Sequence, residues 1–144
     1  MELEYDEIPS GWPVCFLNDC PRQDECLRHK AGLTLPPTTL QTLAVTPAAR
    51  KEDGCRMFFP VQVVRVALGF TRIFKEVKQR HAPEMRARLA RYLGGNGTYY
   101  RYRRGERPLM PGQQQWIKDL FSSYGYTEEV VFDAYRDIFR FYND

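Results

Sequence analysis

Apolar residues in the second half of the chain recur at three- and four-residue steps. Val63, Val66, Ala67, Phe70, Ile73, Phe74 and Val77 keep this spacing, which predicts an amphipathic helix over 61–81 that starts near Pro60 or Val61. Pro83 suits the first turn of a second helix, 84–93, with Met85, Leu89, Tyr92 and Leu93 on its apolar side and Gly94 after its end. Pro111 opens a third, 111–124, with Trp116, Ile117, Leu120, Phe121 and Tyr124 inward and Gly125 as its stop. Thr127-Glu128-Glu129 opens a fourth, 127–142, placing acids at the positive helix end, and Phe132, Tyr135, Ile138, Phe139 and Tyr142 supply its apolar face. Between them, Gly94-Gly95-Asn96-Gly97 reads as a tight turn, and Thr98 to Arg104 fits either a strand or a short capped helix.

The first 59 residues show no such period. Residues 1–14 are acidic and turn-rich. Residues 33–59 hold Pro36-Pro37, a Thr46-Pro47 pair that suits one short helical turn, and Asp53-Gly54. So long an irregular stretch needs something to tie it down. The expected fold class is mainly α: a small helical bundle (60–144) carrying an irregular N-terminal four-cysteine metal-binding segment (1–59), in one compact unit.

A length of 144 residues and a hydrophobic share of 43% allow one ordinary domain with a core. No apolar run reaches the length of a membrane helix. The acidic start, Met1 to Glu7, lacks the basic and apolar parts of a secretory signal, so a cytoplasmic location with reduced thiols is expected. Charge alters the picture more than composition does. Residues 75–107 carry ten Lys/Arg against three acids, net +7, whereas 1–72 and 108–144 are net −1 and −3. Arginine supplies 16 of the 21 bases, and its planar fork suits phosphate and ring partners.

Cys15, Cys20, Cys26 and Cys55 are the only cysteines, spaced C-x4-C-x5-C-x28-C. Four thiolates satisfy a tetrahedral zinc or a cubane iron–sulfur cluster. Inert buried thiols fit poorly with Cys20, which sits in Asn-Asp-Cys-Pro-Arg-Gln-Asp-Glu-Cys, and disulfides fit poorly with a reducing compartment. The chain has no C-x2-C knuckle of the kind common in structural zinc sites. Cys20-Pro21 through Cys26-Leu27 to Ala31 resembles the cluster-binding segment of WhiB-type regulators and, more loosely, the cluster loop of endonuclease III-type glycosylases. That resemblance implies a [4Fe–4S] cluster, with zinc as the alternative. His29, three residues after Cys26, reads as a solvated helix residue rather than a ligand.

In the basic stretch, Tyr99, Tyr100 and Tyr102 interleave with Arg101, Arg103, Arg104 and Arg107, and Arg86, Arg88 and Arg91 lie just upstream. Aromatics stack on bases and arginines pair with phosphate, which points to a nucleic-acid surface. The other reading is a solvated basic face whose tyrosines pack on the core. Helix, Gly-rich turn, basic segment and following helix together resemble the centre of phage-repressor-type helix-turn-helix domains, which would make Thr98 to Arg104 the recognition helix. The whole chain resembles a family of small uncharacterised proteins from anaerobic gut bacteria. The matching pieces are the Cys-x4-Cys-Pro-x4-Cys start, Thr46-Pro47-Ala48-Ala49, Tyr99-Tyr100-Arg101-Tyr102 and Gly105-Glu106-Arg107, and the resemblance implies no activity.

Catalytic residues are not expected. His29 and His81 lie far apart, and there is no nucleophile elbow, P-loop or H-E-x-x-H; a redox role for a cluster stays open. The expected function is a small cytoplasmic metal-binding regulator or nucleic-acid-binding protein. The alternative is a protein–protein adaptor with a structural metal, for which the 14% aromatic content offers anchors. Nucleic acid or protein are the expected partners, and a membrane is not.

Overall fold

The computed structural model describes residues 1–142, and it corrects the mainly α expectation. The chain is mixed α/β, 33% helical and 15% strand, with two small antiparallel sheets. Its regular elements are α1 (Leu27–Gly32), β1 (Arg50–Lys51), β2 (Gly54–Cys55), β3 (Val63–Leu68), α2 (Ala82–Tyr92), α3 (Asn96–Arg103), α4 (Pro111–Ser123) and β4 (Ala134–Phe139). Short 3-10 turns at Tyr5–Glu7, Gln23–Glu25 and Pro47–Ala49 punctuate the first part.

The helices expected over 84–93 and 111–124 are present as α2 and α4, each with a proline in its first turn. Those expected over 61–81 and 127–142 are absent. The first is β3 followed by turns, and the second is an extended lead into β4, which pairs with β3. Val63, Val64 and Val66 are β-branched and lose little by lying in a strand. Gly69 then ends β3 at φ +86°, in the left-handed region that side chains avoid. The free space at Gly69 is taken by Asp133, whose carboxylate accepts from the Thr71 N–H at 3.0 Å and the Thr71 hydroxyl at 2.8 Å.

The chain divides into two compact units: Met1–Val63 with the chain end from Phe139, and Val64–Ile138. The first has its own core of Trp12, Val14, Leu27, Ala31, Phe59, Phe139 and Phe141. The Trp12 indole meets Phe59 and Phe141 edge-on at 5.5 and 5.0 Å, and its N–H donates to the Phe141 carbonyl at 2.9 Å. The N-terminal region is therefore not a segment without apolar support. The second unit packs Phe70, Met85, Leu89, Leu109, Ile117, Phe121 and Phe132 together. In it Ala67 and Leu109 exchange backbone hydrogen bonds at 3.0 and 2.9 Å, and Gln114 Nε2 donates to the Leu109 and Arg65 carbonyls at 2.9 and 3.0 Å. These bonds tie the start of α4 to β3.

Replacing Gly69 with alanine should destabilise the protein by about 1–2 kcal/mol, the cost of a left-handed non-glycine residue, plus the push of its Cβ on Asp133. Urea unfolding measures this. A G69A variant as stable as the parent would show that this turn does not constrain the β3 end.

Candidate four-cysteine site and basic helix pair

Three separate stretches of the first unit deliver the four cysteines. Cys15 follows Val14, whose backbone is held between Leu43 and Val45. Cys20 lies in a turn in which its N–H reaches the Leu17 carbonyl at 3.3 Å and its own carbonyl accepts from Gln23. Cys26 is buried just before α1, its carbonyl accepting from Lys30 at 3.1 Å. Cys55 sits on β2 directly across from Arg50. The end of α1 comes so close to the first stretch that a Cβ on Gly32 would collide with the Cys15 carbonyl.

All four thiols are free, and all four line a single cavity of about 130 Å³. Among the described residues no group of three or more His, Cys, Asp or Glu side chains is arranged to hold a metal ion. The metal-binding segment expected from the sequence is therefore not a ready-made cage. It is a cavity that the four cysteines line among other residues, several times the ~10–15 Å³ that admits one water. Cys15 Sγ accepts from the Leu17 N–H at 3.5 Å and Cys55 Sγ from the Met57 N–H at 3.4 Å.

Three arginines that the sequence did not single out, Arg22, Arg28 and Arg50, also line the cavity. Arg28 donates from Nε to the Met57 carbonyl and from Nη1 to the Pro13 carbonyl, both at 2.9 Å, and its guanidinium lies 4.4 Å from the centre of the Trp12 ring. Burial lowers its pKa, and the Cys26, Cys55 and Cys15 thiols oppose that. Arg50 pairs with Asp19 at 2.8 Å, and this partner raises the Arg50 pKa and lowers that of Asp19. His29 is buried rather than solvated. It lines the same cavity, and its Nε2 lies 3.0 Å from Asn18 Oδ1.

In the second unit, α2 and α3 pack against each other across a turn in which Gly94 and Gly95 take φ +100° and +116°. Of residues 98–104, Thr98 to Arg103 are thus helical, not extended, and Arg104 caps the end. With the side chains on a helix, Tyr99 and Tyr102 fall inward and are 6% and 7% exposed, while Tyr100, Arg101 and Arg104 face solvent. Tyr99 packs edge-on against Phe70 at 5.3 Å, and burial raises its pKa against the pull of Arg103 and Arg86. Their burial removes Tyr99 and Tyr102 from the set of rings open to base stacking.

Several of the basic residues have partners within the chain. Arg86 stacks on Phe74, and Arg88 lies over Tyr124 and bonds its hydroxyl at 3.3 Å. Arg107 covers Tyr102, and Arg104 makes a two-armed bond with Glu106 at 3.1 and 3.2 Å that lowers the Glu106 pKa. Arg91 and Arg101 are exposed, and Arg103 is half-buried.

The model of a family of unknown function, DUF6078, matches residues 1–141, almost the whole chain. The chain belongs to the DUF6078 family. No curated protein and no solved structure matches it. Both sites lie inside the family match, and no helix among the described residues of this DUF6078 chain is long and apolar enough to cross a membrane.

Truncating Tyr99 or Tyr102 to alanine should cost ~3 kcal/mol or more, as buried aromatic truncations do. The same change at Tyr100 should stay within ~0.5 kcal/mol. Thermal unfolding of the three variants separates core from surface, and equal losses at all three would contradict the helical phase of α3.

Proposed function

We propose that this protein is a small cytoplasmic metal-binding regulator whose four cysteines hold one iron–sulfur cubane, with nucleic acid as the partner of its second unit. The observation that carries the reading is the convergence of Cys15, Cys20, Cys26 and Cys55 on one cavity. A closed zinc site draws four sulfurs to about 2.3 Å from one ion and leaves no void between them. The cavity that the four cysteines line leaves room for a larger occupant, and a cubane cluster is the larger four-thiolate centre.

The nucleic-acid part rests on the α2–α3 pair. From Arg86 to Arg104 there are six arginines and no Asp or Glu. Arg86, Arg88, Arg91, Tyr100, Arg101 and Arg104 are exposed there and suit such a partner through ring stacking and phosphate pairing, Arg91 and Arg101 being the two that the variants below remove. An adaptor role would instead show as a stoichiometric protein complex insensitive to salt.

Protein purified without oxygen should be brown and carry iron and acid-labile sulfide in equal amounts. Serine at any of the four cysteine positions should lower that content several-fold. Colourless protein with one zinc would overturn the cubane, and protein with neither metal would overturn the site. R91A with R101A should flatten the salt dependence of duplex binding by ~0.9 in the log–log slope for each phosphate that is no longer paired. Absence of binding by the parent at low salt would overturn the nucleic-acid reading.

A further inference from the structure

The second unit carries a groove of about 680 Å³ between the turns after β3 and the stretch that follows α4. Its floor is apolar: Phe121 and Val130 are buried, Val77 is half-buried, and Val131 beside them is 63% exposed. Four charged residues line it. Arg72 faces Asp133 at 3.7 Å, whereas Glu76, Glu128 and Glu129 are exposed and form no ion pair among the described residues. An apolar floor with unmatched charge at its rim has the make-up of a contact surface.

Cations stand one ring away from that floor. Arg86 lies over Phe74 at 5.0 Å, and Phe74 packs on Phe121 at 5.4 Å. Arg88 lies over Tyr124 at 5.7 Å, and His81 meets Tyr124 edge-on at 5.6 Å while bonding the hydroxyl of Tyr126, a groove residue, at 2.6 Å. Both guanidiniums are exposed and held by rings, and neither pairs with a carboxylate of its own chain among the described residues. Glu84 is the one acid of α2 against its three arginines.

We propose that this face pairs two copies of the chain about a two-fold axis, with Arg86 and Arg88 of each copy seated on the Glu76, Glu128 and Glu129 rim of the other. An acidic half beside a basic half is self-complementary under a two-fold rotation. A head-to-tail contact would leave one groove and one arginine pair unfilled at each end, whereas the two-fold fills both. Exposed ion pairs contribute little by themselves, so burial of the floor and of Val131 holds the copies together and the charges set the register. The inference depends neither on the cubane nor on nucleic acid.

Sedimentation velocity of the nuclease-treated full chain, over a range of concentrations and at low and raised salt, tests it. The parent should form dimers that weaken as salt rises. E128R/E129R and R86E/R88E should each be monomeric, because each sets like charges against each other. An equimolar mixture of the two should form dimers again, since each altered half then meets its opposite. V131S, at an exposed position, should weaken the dimer several-fold with unchanged circular dichroism.

A parent that stays monomeric at low salt would overturn the inference and leave the groove to a partner of other chemistry. Dimers that vanish on nuclease treatment would show copies bridged by nucleic acid and overturn it too. Assemblies that grow beyond two chains would overturn the two-fold. Two monomeric variants that stay apart when mixed would overturn the pairing of these charges. Should R86E/R88E fail to fold, E128R/E129R and V131S must both weaken the dimer, and unchanged dimers in either would overturn the assignment of this face.

Discussion

The first unit is arranged around a guanidinium whose partners, among the described residues, are rings and carbonyls and no carboxylate. Arg28 reaches the backbone beside Cys15 and beside Cys55 while standing two residues from Cys26. The Trp12 ring beneath it is fixed in turn by Phe59, Phe141 and its own N–H bond. The apolar core and the thiol cavity thus share one hinge point. The core orders the stretches, and Arg28 bonds the backbone two residues from Cys15 and two residues from Cys55.

Parts of this were legible in the sequence. Proline in the first turn and glycine after the last marked α2 and α4, because those residues act through local backbone geometry that no distant neighbour overrides. The 61–81 stretch misled because positions 63, 66, 67 and 70 satisfy a helical step, while the residues that decide are β-branched valines and a glycine that must turn left-handed. Strand pairing with β4 joins residues more than sixty apart, and periodicity carries no trace of it. The core of the first unit was hidden for the same reason. Trp12, Val14, Leu27, Phe59 and Phe141 lie far apart in sequence and follow no period.

The candidate sites show the same division. The cysteine set could be written down from composition alone, but its meeting at one cavity, and the arginines there, required the fold. Arg28 is one arginine among sixteen, and nothing in its neighbours announces its direction. The tyrosine-rich stretch was open between strand and helix. As a helix it sorts Tyr99 and Tyr102 to the core and leaves Tyr100 and Arg101 outside, so the stacking surface is smaller than the composition implies.

The central claim is that the cavity holds one cubane rather than one ion. Native mass spectrometry of anaerobically prepared protein, sprayed without denaturant, weighs the occupant directly. A cubane predicts a single adduct with the mass of four irons and four sulfides, gone when the cysteines are replaced. A chain bearing one zinc, or bearing nothing after reconstitution with iron and sulfide, would contradict it.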